Sequence, residues 1–134
     1  MLEIKEAAKK VGMNENTIRY YTDQGLVPSV KRDANHHRLF DQASLNWLIG
    51  DHRMRAAGMS IRELRYYVKL CLKGNSTVSE RAQIIDQLRI KVDQQLKAAQ
   101  QRAHFLSVKS QIYHDLLNHH RTKDVLNPGT WKNN

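Results

Sequence analysis

The sequence predicts a mainly α-helical fold in which a head of short helices with a small hairpin precedes one long helix. Up to about residue 72, short segments with helical spacing of apolar residues alternate with turns that contain glycine. After Gly25, a stretch rich in β-branched and turn residues interrupts this pattern. From Ser79 to about His119, the chain contains neither glycine nor proline, and residues that favour helices dominate.

The first two predicted helices are separated by a tight turn. The apolar residues of the first helix recur at the spacing of one amphipathic face, namely Ile4, Ala7, Ala8 and Val11. Gly12 is expected to end this helix, and Asn14 is a favourable N-cap for the second. The inward residues of the second helix would be Ile18 and Tyr21. This succession of helix, tight turn and helix is typical of a helix-turn-helix.

A hairpin and two further helices are expected next. The segment "LVPSVKRDANHHRLF" lacks helical spacing and predicts a short two-stranded hairpin. A third helix should start at about Asp41 and break at Gly58. Ser60 is suited to cap a fourth helix. The apolar face of that helix would carry Ile61, Leu64, Val68 and Cys71.

The long helix carries one apolar stripe that predicts a coiled-coil seam for dimerisation. Its residues recur in steps of three and four, namely Ile85, Leu88, Val92, Leu96, Ala99, Ala103 and Leu106, and then Tyr113 and Leu117 after an interruption at Ser110. A helix of about 40 residues is roughly 60 Å long. Because the head is too short to cover it, we expect a homodimer. The alternative is a helix that folds back on its own domain, and the length of the helix argues against it.

The composition favours a polyanionic partner. The chain has 22 Lys and Arg against 13 Asp and Glu, a formal net charge of +9 and a pI of about 9.9. No apolar stretch approaches the roughly 20 residues that cross a bilayer, and the N-terminus lacks a signal-peptide pattern. One cysteine excludes an internal disulfide and a Cys-paired zinc site. A cytosolic protein without a membrane partner is the simplest interpretation.

The second helix and the hairpin hold the candidate DNA-binding residues. A recognition helix projects polar side chains into the major groove while its other face packs the core. The helix candidates are Asn16, Thr17 and Tyr20, which would point outward, and Arg19, which would point toward a phosphate. The hairpin candidates are Lys31, Arg32 and Arg38, which flank a polar tip and suit a wing held against the DNA backbone. The alternative for this stretch is an ordinary solvated helix face.

These features together resemble the MerR family of bacterial transcription regulators, over nearly the whole chain. The matching segments are "IKEAAKKVGM", "TIRYY", "GLVP", the "KR…HHRLF" wing and "LNWLIGDHRMRAAGMSIRELRYY". The resemblance implies a winged helix-turn-helix head and a homodimer formed through an antiparallel coiled coil. It also implies a palindromic operator in an overlong promoter spacer, where the activated dimer bends and untwists the DNA so that RNA polymerase can use both promoter elements. By the same resemblance, the DNA contacts are Arg19, Tyr20, Arg32, His37 and Arg38.

We therefore expect three parts, which are a DNA-binding domain at 1–72, a linker and coiled-coil helix at 73–119, and a short tail at 120–134.

The wing departs from the family, which usually has Gly-Tyr-Arg where this chain has His-His-Arg. Because glycine adopts a positive φ easily and histidine does so only occasionally, the turn should differ or Asn35 should take the strain. His37 can still donate to a phosphate, with a charge that depends on pH.

The signal is the least defined feature of the sequence. The segment "KGNSTVSERAQIIDQL" is similar to the short members related to thiol- and aldehyde-responsive regulators. Those relatives place a cysteine just before the "GMS" turn, where this chain has Arg53 and Met54. The possible sensor is then Cys71, although its spacing from Val68 favours a buried structural cysteine.

Other function classes find little support in the sequence. The histidine pairs lack the Cys or carboxylate partners of a metal site, and no cofactor is expected. No phosphate loop, nucleophile elbow or paired-carboxylate pocket indicates an enzyme. A DNA-architectural, excisionase-like accessory factor is the alternative function, since such proteins share this kind of head. The long dimerisation helix favours the regulator.

Overall fold

The computed structural model describes residues 1–119, and helices dominate them. In chain order the elements are β1 (Leu2–Glu3), α1 (Ile4–Val11), α2 (Glu15–Asp23), β2 (Lys31–Arg32), β3 (Arg38–Phe40), α3 (Gln42–Ala56), α4 (Ile61–Lys73), a 3₁₀ turn (Asn75–Thr77) and α5 (Val78–Asn118). The predicted mainly α fold, with a winged helix-turn-helix head and a long helix, is confirmed. The tail predicted at 120–134 lies outside the described residues.

The turn between α1 and α2 forms as its sequence predicts. Gly12 has the left-handed φ of 68° and closes α1 by donating its N–H to the Ala8 carbonyl. Asn14 caps α2, since its side chain accepts the N–H of Asn16 at 2.7 Å. These two local signals set the short connection that places α2 against α1.

The hairpin belongs to a sheet of three strands with the order β1-β3-β2. Both pairings are antiparallel, with Leu2 opposite Phe40 and Lys31 opposite Leu39. The prediction of a two-stranded hairpin therefore lacked β1. A strand of two residues shows no alternation that a sequence pattern could detect, and only pairing with β3 defines it.

The third and fourth helices begin where the sequence predicts, and Ser60 is the predicted cap of the fourth. The Asp41 carboxylate accepts the N–H of Ser44 at 2.7 Å, and Ser60 forms a reciprocal capping box with Glu63. The core of the head is built from buried residues of α1 to α4, the hairpin and the turns, namely Ala7, Met13, Ile18, Tyr21, Leu26, Val27, Phe40, Leu45, Leu48, Met59, Leu64 and Val68.

The described chain has two compact units, one of residues 1–90 and a second from Lys91 onward. The first unit includes the start of α5, where Ile84 and Leu88 pack partly against the core of the head. Tyr66 also donates to the Glu80 carboxylate. Leu88 was assigned to the dimer seam, and the structure gives it this intramolecular contact. The domain boundary at residue 72 and the seam stay predictions.

The second unit contains the rest of α5, and large apolar side chains are exposed along it. Leu96 is 55% exposed, Leu106 63% and Leu117 70%. Phe105, which was not assigned to the stripe, is 62% exposed. Among residues 1–119, no helix combines the length and the apolar character that crossing a membrane requires.

Candidate nucleic-acid interface

The outer face of α2 carries most of the residues predicted to meet DNA. Asn16 is exposed, and Tyr20 is 47% exposed, whereas Ile18 and Tyr21 are buried beneath them. The division of the two adjacent tyrosines between surface and core is thus confirmed. Thr17 is half-buried, so it is less accessible than the outward position expected of it.

Arg19 is oriented on the surface of α2 by two polar neighbours. Its Nη1 donates to Asn16 Oδ1 at 2.9 Å, one turn earlier on the helix. Its Nη2 lies 3.5 Å from a Glu15 carboxylate oxygen, and both side chains are close to half exposed. A long side chain held in this way loses less conformational entropy when it binds a ligand. The orientation of the Arg19 guanidinium is therefore fixed in the unbound chain by Asn16 and Glu15.

The tip of the wing is closed by Asp33. One of its carboxylate oxygens accepts the N–H groups of Asn35 and His37, both at 2.9 Å. The N–H of His37, and then that of Asn35, holds the pKa of this carboxyl below its usual value. Because the side chain itself replaces a backbone turn, the tip keeps its shape without glycine.

The unusual backbone conformation in the wing falls on His36. Its φ is 63°, so the expectation that Asn35 would take the strain is wrong. The conformation is supported from two sides, since the His36 N–H donates to the Asp33 carbonyl and its own carbonyl accepts from Arg32 Nη1 at 2.8 Å. Histidine is among the residues that enter this region more often than most. Arg32 therefore braces the tip as well as carrying charge.

Arg38 joins the wing to the end of α2. Its Nε donates to the Thr22 hydroxyl at 2.7 Å, and its Nη2 donates to Asp23 at 2.8 Å. Thr22 in turn donates to the carbonyl of Arg19 at 2.7 Å. The Arg38 side chain is 17% exposed, in contrast to the exposed Lys31 on the neighbouring strand. Helix and wing are thus held by one chain of hydrogen bonds.

His37 and Lys31 occupy the accessible part of the wing. Both are exposed, and His37 Nδ1 lies 3.4 Å from the second carboxylate oxygen of Asp33. That contact is an ion pair only when the imidazole is protonated. The eight residues predicted to meet DNA therefore all belong to α2 and the wing, and their contacts with DNA stay predictions.

Sequence reasoning missed the residues that hold this surface together. Asp33 could have been found, because an Asp before a short polar turn often caps the backbone of that turn. Thr22 and Asp23 carry no such local signal, since their partner Arg38 is 16 and 15 residues away. Only the packing of β3 beside α2 makes them functional candidates.

Cys71 is half-buried, so the expectation of a buried cysteine is wrong. It lines an open groove between α3 and α4. Burial, and then the neighbouring Cys71 thiol, raises the pKa of the Tyr67 phenol in the same groove. Its role as a sensor stays a prediction. Within the described part of the chain, no three His, Cys, Asp or Glu side chains are grouped as a metal site.

Comparison with known proteins identifies relatives of the head. Residues 2–71 match the family described as "MerR HTH family regulatory protein". The HTH-type transcriptional regulator AdhR of Bacillus subtilis is 37% identical over 84 residues, which are 63% of this chain and 60% of that protein. An uncharacterised HTH-type transcriptional regulator of Haemophilus influenzae is 31% identical over 81 residues, 60% of each chain. The chain thus spans about 60% of the length of these relatives.

Solved structures resemble more of the chain. A MerR family transcriptional regulator from Listeria monocytogenes has a TM-score of 0.82 at 33% identity, covering 90% of this chain and 92% of that one. HiNmlR, a MerR family regulator that lacks the sensor domain and was crystallised with promoter DNA, has a TM-score of 0.75 at 26% identity. That match covers 87% of this chain and 92% of HiNmlR. The likeness therefore includes most of α5 as well as the head.

Proposed function

Because the chain belongs to the MerR family of helix-turn-helix regulators, we propose that it is a sequence-specific DNA-binding transcription regulator that acts as a homodimer. Members of this family are DNA-binding regulators and not enzymes. The proposed target is a palindromic operator within a promoter, and double-stranded DNA is the partner. The protein would affect RNA polymerase indirectly, by changing the shape of the promoter DNA.

The observation that carries the proposal is the link between α2 and the wing. Arg38 holds β3 to the end of α2 through Thr22 and Asp23. A helix that enters the major groove and a basic wing that follows the backbone must keep a fixed separation, because the spacing of groove and phosphates is fixed. This link supplies that separation before binding. The net charge of +9 adds a sequence-independent attraction to DNA.

Each residue has a proposed task in the complex. Asn16, Thr17 and Tyr20 would face the major groove, and Arg19 would reach a phosphate or a base edge at its flank. Lys31, Arg32 and His37 would contact the backbone beside the groove, as would the remaining Nη1 of Arg38. The side chains of α2 would then supply sequence selectivity, and those of the wing would supply affinity and register.

The exposed stripe on α5 supports the homodimer. Leu96 and Leu106 are each more than half exposed. Among the described residues, no other helix or strand packs extensively against this part of α5. A second copy with the same stripe would bury both rows, and an antiparallel arrangement would place the two heads at opposite ends of the coiled coil. Two heads related by a two-fold axis require an operator with the same symmetry.

The proposed mechanism is a change in DNA shape. In a promoter whose spacer is too long, the activated dimer would bend and untwist the duplex so that polymerase can meet both promoter elements. Such deformation costs several kcal/mol, which the contacts of helix and wing would offset.

A footprint on the promoter of its own gene tests the proposal. A regulator of this kind should protect one palindrome between the promoter elements, with hypersensitive bands at the centre of the site where the DNA is deformed. The matched control is Lys69→Ala, which removes an exposed charge of α4 outside α2 and the wing. Protection of several direct repeats, or of no defined sequence, would contradict the proposal and favour an architectural protein.

A further inference from the structure

An open groove of about 420 Å³ lies between α3 and α4 in the first compact unit. Its walls are mainly apolar and aromatic, and the residues used below are Trp47, Asp51, Met54, Leu64, Tyr67 and Cys71. Pockets of this volume accept small organic molecules, which bind by apolar contact and are oriented by a few polar groups. Neither α2 nor the wing contributes to the groove, so it is separate from the proposed DNA surface.

The charged member of this lining is Asp51, which has an incomplete set of hydrogen bonds. The residue is 2% exposed, and its Oδ2 has no hydrogen-bond partner among the described residues. Arg55, one turn further along α3, donates to the carbonyl of Met59 at 2.7 Å. Burial raises the pKa of the Tyr21 phenol of α2, Arg55 lowers it and the Asp51 carboxylate raises it, so both groups lie near Tyr21. A buried carboxyl without an ion-pair partner is costly, and it is uncommon where nothing uses it.

The burial of Asp51 also changes its titration. Desolvation raises the pKa of this carboxyl from 3.8 to about 7. The arrival of a cation would favour the ionised form and complete the hydrogen bonds of the carboxylate in one step. An apolar ligand would fill the groove but would leave Oδ2 without a hydrogen-bond partner.

We propose that the groove binds a small organic cation with N–H donors, of the alkylammonium or arylalkylammonium class. The ammonium would donate to the Asp51 carboxylate once that side chain turns toward the groove, because Oδ2 is closed to solvent in the ligand-free chain. The apolar body would lie against Trp47, Met54 and Leu64. The aromatic rings of Trp47 and Tyr67 also line the groove, and a cation bound over a ring face would gain a cation–π attraction that a neutral ligand lacks. A primary or secondary ammonium fits better than a quaternary one, because only the former has hydrogens to donate. This site is independent of the proposed regulator function.

Calorimetry on the full chain at about pH 8 tests the proposal, since Asp51 is then largely ionised. The probes are cyclohexylmethylamine, adamantylmethylamine and phenylbutylamine, each paired with the alcohol of the same skeleton. We expect at least one amine to bind with a Kd below about 1 mM and at least tenfold more tightly than its alcohol. Its binding should also quench or shift the emission of Trp47, measured in a Trp131→Phe background.

Asp51→Asn should abolish the preference for the amine and leave the affinity for the alcohol unchanged. The alcohol thus reports whether the groove of the variant still forms. Asp86→Asn is the matched control, because it removes an exposed carboxylate of α5 and should keep the preference. The proposal is overturned if no amine binds, if amine and alcohol bind alike, or if the preference survives in Asp51→Asn.

Discussion

The Nε of Arg38 donates to the Thr22 hydroxyl at 2.7 Å, which ties the third strand to the last turn of the second helix. The same hydroxyl donates to the Arg19 carbonyl, so the bond reaches the stretch of α2 that is proposed to face DNA. Arg38 has two tasks in this arrangement. It fixes the wing through Nε and Nη2, and its Nη1 is proposed to contact a phosphate.

Thr22→Val separates these two tasks of Arg38. The variant removes the acceptor of Nε and keeps every positive charge, so operator affinity should fall by about 1 kcal/mol, the usual net worth of one hydrogen bond. The salt dependence of binding should be unchanged, because no phosphate contact is lost. Fluorescence anisotropy over a range of salt concentrations measures both quantities.

The controls for this variant are Thr22→Ser and Lys31→Ala. Thr22→Ser keeps the hydroxyl and should bind like the unaltered protein. Lys31→Ala should lower the salt slope by about one unit, with little change in the discrimination between operator and random DNA. A reduced slope in Thr22→Val would show that the bond also positions a phosphate contact.

Arg19→Ala should weaken operator binding by about 1–3 kcal/mol, the range expected for a base or strong phosphate contact. The reason is that Asn16 and Glu15 already direct this guanidinium on the exposed face of α2. Lys69→Ala is the matched control, since it also removes one exposed positive charge but lies on α4, outside α2 and the wing. Equal affinity of Arg19→Ala and the unaltered protein at physiological salt would remove Arg19 from the interface.

Replacing Leu96 and Leu106 with lysine should convert the proposed dimer to a monomer. Both side chains are exposed in the single chain, so the cost of the charges arises only when a second copy covers the stripe. Sedimentation equilibrium gives the mass directly. The control replaces Gln94 and Gln101 with lysine, which adds the same charge at exposed positions outside the proposed seam and should leave a dimer. A dimer in the Leu96/Leu106 variant would place the interface elsewhere.

Asp51→Asn should become more stable relative to the unaltered protein as the pH rises. Burial raises the pKa of Asp51 from 3.8 to about 7, so between these values the folded chain keeps a proton that the unfolded chain has released. The free energy of unfolding of the unaltered protein therefore falls across this window, whereas Asn has no proton to lose. From about pH 5 to about pH 8, the free energy of unfolding of Asp51→Asn should rise by roughly 2–3 kcal/mol relative to that of the unaltered protein.

Urea denaturation at each pH and one fixed protein concentration measures this difference, since the stability of a dimer depends on concentration. Asp86→Asn is again the control, because an exposed carboxylate should show no such trend. A difference that stays constant with pH would mean that Asp51 ionises in the folded protein as it does in the unfolded one.

Local signals in the sequence determined most of the elements of this protein. Gly12 and Asn14 define the turn before α2, while Asp41 and Ser60 cap α3 and α4, because a cap needs only neighbours along the chain. Periodicity likewise gave Ile18 and Tyr21 to the core and Tyr20 to the surface. The candidate residues of α2 follow from the same pattern, whereas His37 in the wing was predicted only from the resemblance to the family.

The tertiary structure decided which distant groups meet, because packing is not encoded in spacing along the chain. It paired β1 with β3, brought Arg38 to Thr22 and Asp23, and placed Leu88 against the head. It also buried Asp51 with an oxygen that lacks a partner, although an Asp on a helix pattern predicts a solvated side chain. Local hydrogen bonds and periodicity thus determine elements and caps, whereas desolvation and long-range hydrogen bonds depend on how those elements pack.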